Sequence, residues 1–320
     1  MPCYHPLKGY RSRSGIDPVT GRWPVVFNTT EGYPDMPVEM ACGQCIGCRL
    51  ERSRQWAIRC VHESSLHKRN CFITLTYNDH HLPRDGSLHK DHFQKFMKRL
   101  RKKYSHRIRY YMCGEYGEKC GTCGHNRKNC QSLGCGKFNP ALGRPHFHAI
   151  LFGHDFDDKE VFSQSLKNKL YISEQLMALW PFGFSTIGNL TFESAAYCAR
   201  YVMKKINGRK KEDHYQGKQP EYTTMSRRPG IAKEWFDKYY EDLYPNDYMV
   251  IRGGIKCKPP QYYDRLYDIH YPDEMQRIIH KRKKAAMESE ERQDPIRMYE
   301  KEMVQKIKSK QLIRPYEKEN

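Results

Sequence analysis

No run of apolar residues in this chain approaches the ~20 needed to carry a helix across a bilayer, which excludes a helical membrane span. The opening stretch, MPCYHPLKGY, holds no signal-peptide core. A cytosolic protein is therefore expected, with its 13 cysteines as thiols or metal ligands rather than disulfides. No GxxxxGK(S/T) phosphate loop occurs, and no internal repeat is visible. Apolar residues are scarce, at 38%. With 29% charged residues, the surface must be very polar and part of the chain tail-like. Negative charge is also short: 37 acidic residues face 56 basic ones, for a net charge of +19.

That excess predicts a polyanionic partner, bound through release of its counterions. Aromatic residues make up 12% of the chain, with 23 tyrosines interleaved among the basic residues. Such a mixture suits single-stranded nucleic acid, whose bases stack on rings while cations track its phosphates. Charge alone fits a ribosomal-type or simply soluble basic protein equally well.

Residues 1–70 read as an irregular arm, a cysteine cluster and a basic helix with Leu50, Ala57 and Val61 along one stripe. CFITLTYND (71–79) and RIRYYMCGE (107–115) read as strands. Between them, Phe93, Phe96, Met97 and Leu100 recur at helical spacing over 90–104. A Gly- and Cys-rich insertion fills 116–144. Residues 158–180 look helical, and 191–206 form a second strong helix, with Thr191 and Ser194 as its start signal. A core over 71–206 is thus expected, followed by a basic, Tyr-rich extension (207–270) and a charged helical tail (271–320). The element order predicts an α+β fold with helices on one face of a sheet.

The chemistry centres on GRPHFHAILFG (143–153), read as a strand. Period-2 alternation sets His146 and His148 on one face, one pleat apart. Alone, the pair reads as either a metal half-site or two hydrogen-bonded histidines. On the helix at 191–206, Tyr197 and Tyr201 lie one turn apart on a polar face, with Lys204 and Lys205 continuing it. Ala195, Ala199, Val202 and Ile206 make a separate stripe suited to packing on the sheet. Two such tyrosines are ordinary surface residues or nucleophiles. A phenol has a free pKa of about 10 and needs help to attack a phosphodiester. A divalent cation on the phosphate would supply it. Glu115, at the end of the preceding strand, is the candidate third ligand, with Glu118 the alternative. Two imidazoles and one carboxylate leave positions open, which suits Mg²⁺ or Mn²⁺.

FITLTY, GEYGE, RPHFHAILFG and AAYCARYVMKK, in that order, resemble the motifs of HUH endonucleases, the rolling-circle replication initiators. MPCYHP, CGQCIGCRLERSRQWAIRC and SRRPGI resemble the gokushovirus branch of the microviruses, over roughly residues 1–270. The resemblance implies a five-stranded antiparallel palm of the RRM-like type, with FITLTY as its central strand beneath the active site. It implies that His146, His148 and Glu115 bind the metal, and that Tyr197 and Tyr201 are alternating nucleophiles. Lys204 would position the phosphate. The expected activity is nicking and rejoining of origin DNA through a 5′-phosphotyrosine, with host polymerase and helicase as partners in the bacterial cytoplasm. A relaxase or transposase of the same superfamily is the alternative. So is a non-catalytic, zinc-containing single-strand binder. A two-histidine phosphoesterase would need a second HxT-type motif, which is missing.

One departure from the family pattern is KCGTCGHNRKNCQSLGCGKFNPALG, between GEYGE and RPH. Cys120, Cys123, Cys130 and Cys135 are separated by two, six and four residues, a spacing that predicts a tetrahedral zinc knuckle. His125 could replace one thiol, and Arg127 and Lys128 could reach DNA. A second zinc site is expected at Cys42, Cys45 and Cys48, with Cys3 or Cys60 as the fourth ligand. The competing reading there is a helix-start turn with buried thiols.

Overall fold

The computed structural model describes residues 3–19, 21, 23–117, 143–164, 169–200, 210–244, 246–288 and 294–311. The chain forms two compact units, one from residues up to Arg52 together with those from Lys283, the other from Ser53–Arg282.

In the first unit, β1 (Leu7–Ser12), β2 (Val25–Val26) and β3 (Gly32–Met40) form an antiparallel sheet in the order β2-β1-β3. Gly32 is required where β3 crosses β1, because a Cβ there would lie 2.5 Å from that of Tyr10. Helix α1 (Ile46–Ser65) begins in this unit, directly after the first CxxC turn.

The second unit is built on strands β4 (Asn70–Thr76), β5 (Arg109–Tyr116), β6 (Pro145–Phe152), β7 (Glu160–Gln164), β8 (Lys169–Ile172), β9 (Ser185–Gly188) and β10 (Tyr222–Met225). They form one sheet in the order β10-β5-β6-β4-β9-β8-β7, with every neighbouring pair antiparallel. FITLTY supplies β4 and lies in the middle of the sheet. The expected α+β class with a large antiparallel sheet is what forms, but it has seven strands rather than five. The additional strands come from segments without a strand signal. Residues 158–180, expected to be helical, instead give β7, β8 and only a short helix, α3 (Glu174–Leu179). Every residue of β7 is exposed, so nothing selects for alternation along it. β10 is four residues within the region read as loosely periodic, held by pairing with β5.

Helices cover both faces of the sheet, not one. On the first face, α2 (Lys90–Lys103) buries Phe93, Phe96, Met97 and Leu100 against Ile73, Leu75, Met112 and Leu151. Each such side chain contributes about 1.5–3 kcal/mol. The helix stops at Tyr104, whose amide donates to the Leu100 carbonyl, and Arg101, Lys102 and Lys103 complement its C-terminal dipole. On the second face, Phe72, Ile150 and Phe152 pack with α1, α4 (Phe192–Arg200), α6 (Lys233–Leu243), α7 (Gln261–His270) and α8 (Pro272–Met287). The reason is legible in β6, where all residues but His146 are buried: an interior strand apolar on both sides needs cover on both. The remaining elements are α5 (Lys210–Tyr215), a hairpin of β11 (Met249–Ile251) and β12 (Ile255–Cys257), and α9 (Pro295–Lys310) in the first unit.

Candidate active site

β5 and β6 pair so that Glu115 lies opposite His146, and β4 pairs on the other side so that Thr74 lies opposite His148. Directly opposed residues share a face of the sheet, so Glu115, both histidines and Thr74 all meet on the second face. The Glu115 carboxylate lies 2.5 Å from His146 Nε2 and 3.4 Å from His148 Nε2. Glu115 is 1% exposed and His146 16%, so the group opens to solvent at His146.

Each imidazole is held through its Nδ1. Thr74 Oγ1 lies 2.9 Å from His148 Nδ1, and the Arg144 carbonyl lies 3.2 Å from His146 Nδ1. A carbonyl only accepts, so His146 donates from Nδ1 and turns Nε2 toward a second acceptor, the Glu115 carboxylate. Two acceptors facing one ring are satisfied either by an imidazolium or by a cation that Nε2 and Glu115 both ligate from one side. Anchoring of the distal nitrogen by a backbone or side-chain oxygen is the usual arrangement behind a ligating histidine. The donor atoms of Glu115, His146 and His148 all lie within 4.8 Å of one another. These residues fit one divalent ion with open positions for substrate oxygens.

Helix α4 brings the phenol. Thr191 and Ser194 form a reciprocal cap: Ser194 N donates to Thr191 Oγ1 at 3.2 Å, and Thr191 N donates to Ser194 Oγ at 2.8 Å. From that start the helix runs over β5 and β6, with Cys198 Sγ 3.5 Å from Cys113 Sγ. The Tyr197 hydroxyl reaches to 3.5 Å from His148 Nε2, and its ring lies edge-on to both His148 and Phe72. Tyr197 is 2% exposed and shares the sheet-facing side with Ala195, Cys198 and Ala199. The expectation of a polar tyrosine face separate from the alanine stripe is therefore corrected at Tyr197. A phenol has enough apolar area to be packed inward while its hydroxyl finds polar partners.

Tyr201, Lys204 and Lys205 lie outside the described residues, as do Glu118, Cys120, Cys123, His125, Arg127, Lys128, Cys130 and Cys135. Three contributors were missed by the sequence reading: Thr74, Phe72 and the Arg144 carbonyl. The signal for Thr74 was present: with Asn70 and Thr76 it is a polar residue at an even position of β4, while the odd positions Cys71, Ile73 and Leu75 are all apolar. The Phe72 ring stacks 5.5 Å from that of His148.

A second donor group lies in the other unit. Cys3 joins Cys42, Cys45 and Cys48, and all four sulfurs lie within 4.8 Å of one another. Cys42 and Cys48 are 4.0 Å apart, as are Cys45 and Cys3. Tetrahedral zinc with Zn–S bonds near 2.3 Å requires sulfurs about 3.8 Å apart. Backbone amides of Cys45 and Gln44 donate to Cys42 Sγ, and the amide of Cys42 donates to Cys3 Sγ. Burial would raise the Cys42 thiol, but the amide bonds of Cys45 and Gln44, with the neighbouring thiols, outweigh it and bring it down to about 7, whereas burial pushes Cys3 and Cys48 up. Cys60, the alternative fourth ligand, is instead fully buried in the core of the sheet unit. A third grouping, His89, Asp91 and His92, was not foreseen. Its atoms already serve Asp85, Lys95 and Tyr77 respectively.

The family model for Replication-associated protein ORF2/G2P matches residues 70–125 and 122–206, the span that contains the triad and α4. The chain is 33% identical to the replication-associated protein VP4 of Bdellovibrio phage phiMH2K, over 85% of this chain and 79% of that one. It belongs to the phage replication-associated proteins. Its similarity to the family's ORF2 protein from Spiroplasma virus 4 is 34% identity over 77% of this chain and 73% of the relative. The ORF4 replication-associated protein of Chlamydia phage 1 is 28% identical over 71% of this chain and 53% of its own length. No solved structure matches the chain. Among the described residues, no helix is long and apolar enough to cross a membrane.

Proposed function

We propose that this replication-associated protein nicks and rejoins single-stranded origin DNA through a tyrosine–phosphate intermediate. The observation that carries the reading is the convergence of a phenol on the carboxylate–imidazole triad, with the Tyr197 hydroxyl 3.5 Å from His148 Nε2. Glu115, His146 and His148 would hold Mg²⁺ or Mn²⁺. When bound, such an ion neutralises charge on the scissile phosphate and orients it for in-line attack.

The chain's own residues do the rest. Thr74 and the Arg144 carbonyl fix the two imidazoles, so the donor set costs little reorganisation. The Tyr197 oxygen forms a bond to phosphorus as the bond to the 3′ oxygen breaks. The phenolic proton is transferred, in net terms, to the departing 3′ oxygen. The products are a 5′-phosphotyrosine and a free 3′ hydroxyl, the end that a host polymerase can extend. Tyr201 would make the second cut, and Lys204 would steady the phosphate. In the other unit, Cys3, Cys42, Cys45 and Cys48 would hold a structural zinc.

The test is incubation with Mn²⁺ and labelled origin oligonucleotides, followed by mass spectrometry of the attached residue. We expect a 5′-phosphate adduct on Tyr197 or Tyr201 that EDTA abolishes. A protein carrying both Tyr197→Phe and Tyr201→Phe that still nicks would overturn the reading.

A further inference from the structure

We propose that Phe184 and Phe162 form a stacking platform for an unpaired base of the DNA strand whose phosphate occupies the triad. The inference rests on the nicking reading and adds the substrate contact that would place the strand.

The two rings are exposed, each at 42%, and their centroids lie 5.2 Å apart at a tilt of 56°. Their position follows from register. Thr76 is the partner of His146 across β4 and β6. On its other side, Thr76 donates its amide to the Phe184 carbonyl at 2.9 Å, and its hydroxyl donates to the same oxygen at 2.8 Å. Glu115, His146, Thr76 and Phe184 therefore lie in one row across four neighbouring strands. Along β9, Ser185 and Ile187 are buried toward the first face, while Thr186 pairs with Thr74, the residue that holds His148. Alternation therefore sets Phe184 on the side of the histidines. Two strand spacings, about 10 Å, separate its backbone from that of His146. An extended single strand covers that distance in about one or two nucleotides.

The close approach is built in. Gly183 has no Cβ to accommodate, and one placed there would lie 2.3 Å from Asn78 N and 2.4 Å from Thr76 O. The turn before Phe184 can thus lie against the end of β4, which fixes the ring in the row of the triad. Phe162 comes from the irregularity between Val161 and Ser163 on β7, where an extra residue is accommodated. Exposed paired phenyl rings, on the same face as the proposed phosphate site and two strands from it, on a chain of net charge +19, match the π-face of a base. Paired bases are withheld within their own stack, so the platform selects single strands.

The test is equilibrium binding with no Mg²⁺ or Mn²⁺ added, which separates it from cleavage chemistry and leaves the thiol group undisturbed. The probe is a fluorescein-labelled single strand of about 20 nucleotides spanning the attachment site, with versions abasic at single positions. Phe184→Ala and Phe162→Ala should each weaken binding by roughly tenfold. Phe184→Trp should retain affinity and Phe184→Leu should not, while duplex binding changes less than about twofold. One abasic position should cost the wild-type protein a similar factor and cost Phe184→Ala nothing further. Wild-type affinity in Phe184→Ala, or equal abasic losses in both proteins, would overturn the platform. In that event the Mn²⁺-dependent phosphotyrosine would still stand or fall by its own assay. Because both rings are exposed, unchanged thermal midpoints would show that the variants fold.

Discussion

The cysteine group and the Glu115–His146–His148 group are built in opposite ways. The cysteine group draws three of its four ligands from seven consecutive residues, Cys42 to Cys48, and all four donors are soft sulfurs. The Glu115–His146–His148 group is assembled from two strands, supported by a third, and mixes oxygen with nitrogen. A closed set of four thiolates leaves no position for a substrate and suits a structural ion. Three mixed donors leave positions open, and they stand beside a phenol. One group is local in sequence and offers four like donors; the other is distributed and, on the proposed reading, would be completed only by substrate.

The largest expected effect breaks the comparison on the cysteine side. Structural zinc contributes about 10–16 kcal/mol of apparent binding free energy to small sites, energy that is coupled to folding. Cys45→Ser should lose a zinc equivalent by elemental analysis and lose amide-exchange protection in β1 and β3. Protection in β4 and β6 should persist. Retained zinc and retained protection in β1 would remove the structural role.

Acid gives a middle-sized effect and acts on the sheet unit. Burial holds His62 down at about 3, where its ring stacks on Trp235 and its Nδ1 lies 2.8 Å from the Tyr263 hydroxyl. The unfolded chain takes up this proton near pH 6.5 and the folded one only near 3. Stability from His62 is therefore fully present above about pH 6.5 and is lost progressively down to about pH 3, by an amount of order a few kcal/mol. Urea midpoints measured across that window should fall, and His62→Phe should flatten the slope. An unchanged slope would mean that the ring protonates without cost.

The smallest effect sharpens the view of the triad. Thr74→Val removes the oxygen that orients His148 while keeping the β-branched shape of the strand residue. Supporting residues of this kind typically account for 10–100-fold in metal affinity. The Mn²⁺ concentration giving half-maximal adduct formation should rise by about that factor, with the rate at saturating Mn²⁺ much less affected. A loss that saturating Mn²⁺ does not recover would point to packing instead.

Much of the molecule was legible because local rules governed it. The strands at β4, β5 and β6 alternate or are richly apolar, α2 repeats its apolar residues at 3.6, and the Thr191–Ser194 cap announces α4. Where local rules were silent, the sequence reading failed. β7 buries no face, and β10 is too short to show a period; both are strands because a neighbour offers them hydrogen bonds. The one-sided helix layer failed for a related reason. Phe72 and Ile73 are both fully apolar, and a strand of that kind does not reveal that two layers cover it. Tyr197 was placed on a polar face because tyrosine is amphipathic, and composition does not decide which end of it is buried.

The sequence by itself determined the donors: two imidazoles one pleat apart, a carboxylate ending the preceding strand, three thiols in a tight turn, and a phenol on a capped helix. These depend on backbone geometry over a few residues. Only the tertiary structure decided which donors meet. It brought Cys3 rather than Cys60 to the thiol group, and it brought Tyr197 to His148 across 49 positions of chain. Such meetings depend on strand register and helix docking, which are set by the whole core and carry no local sequence signature.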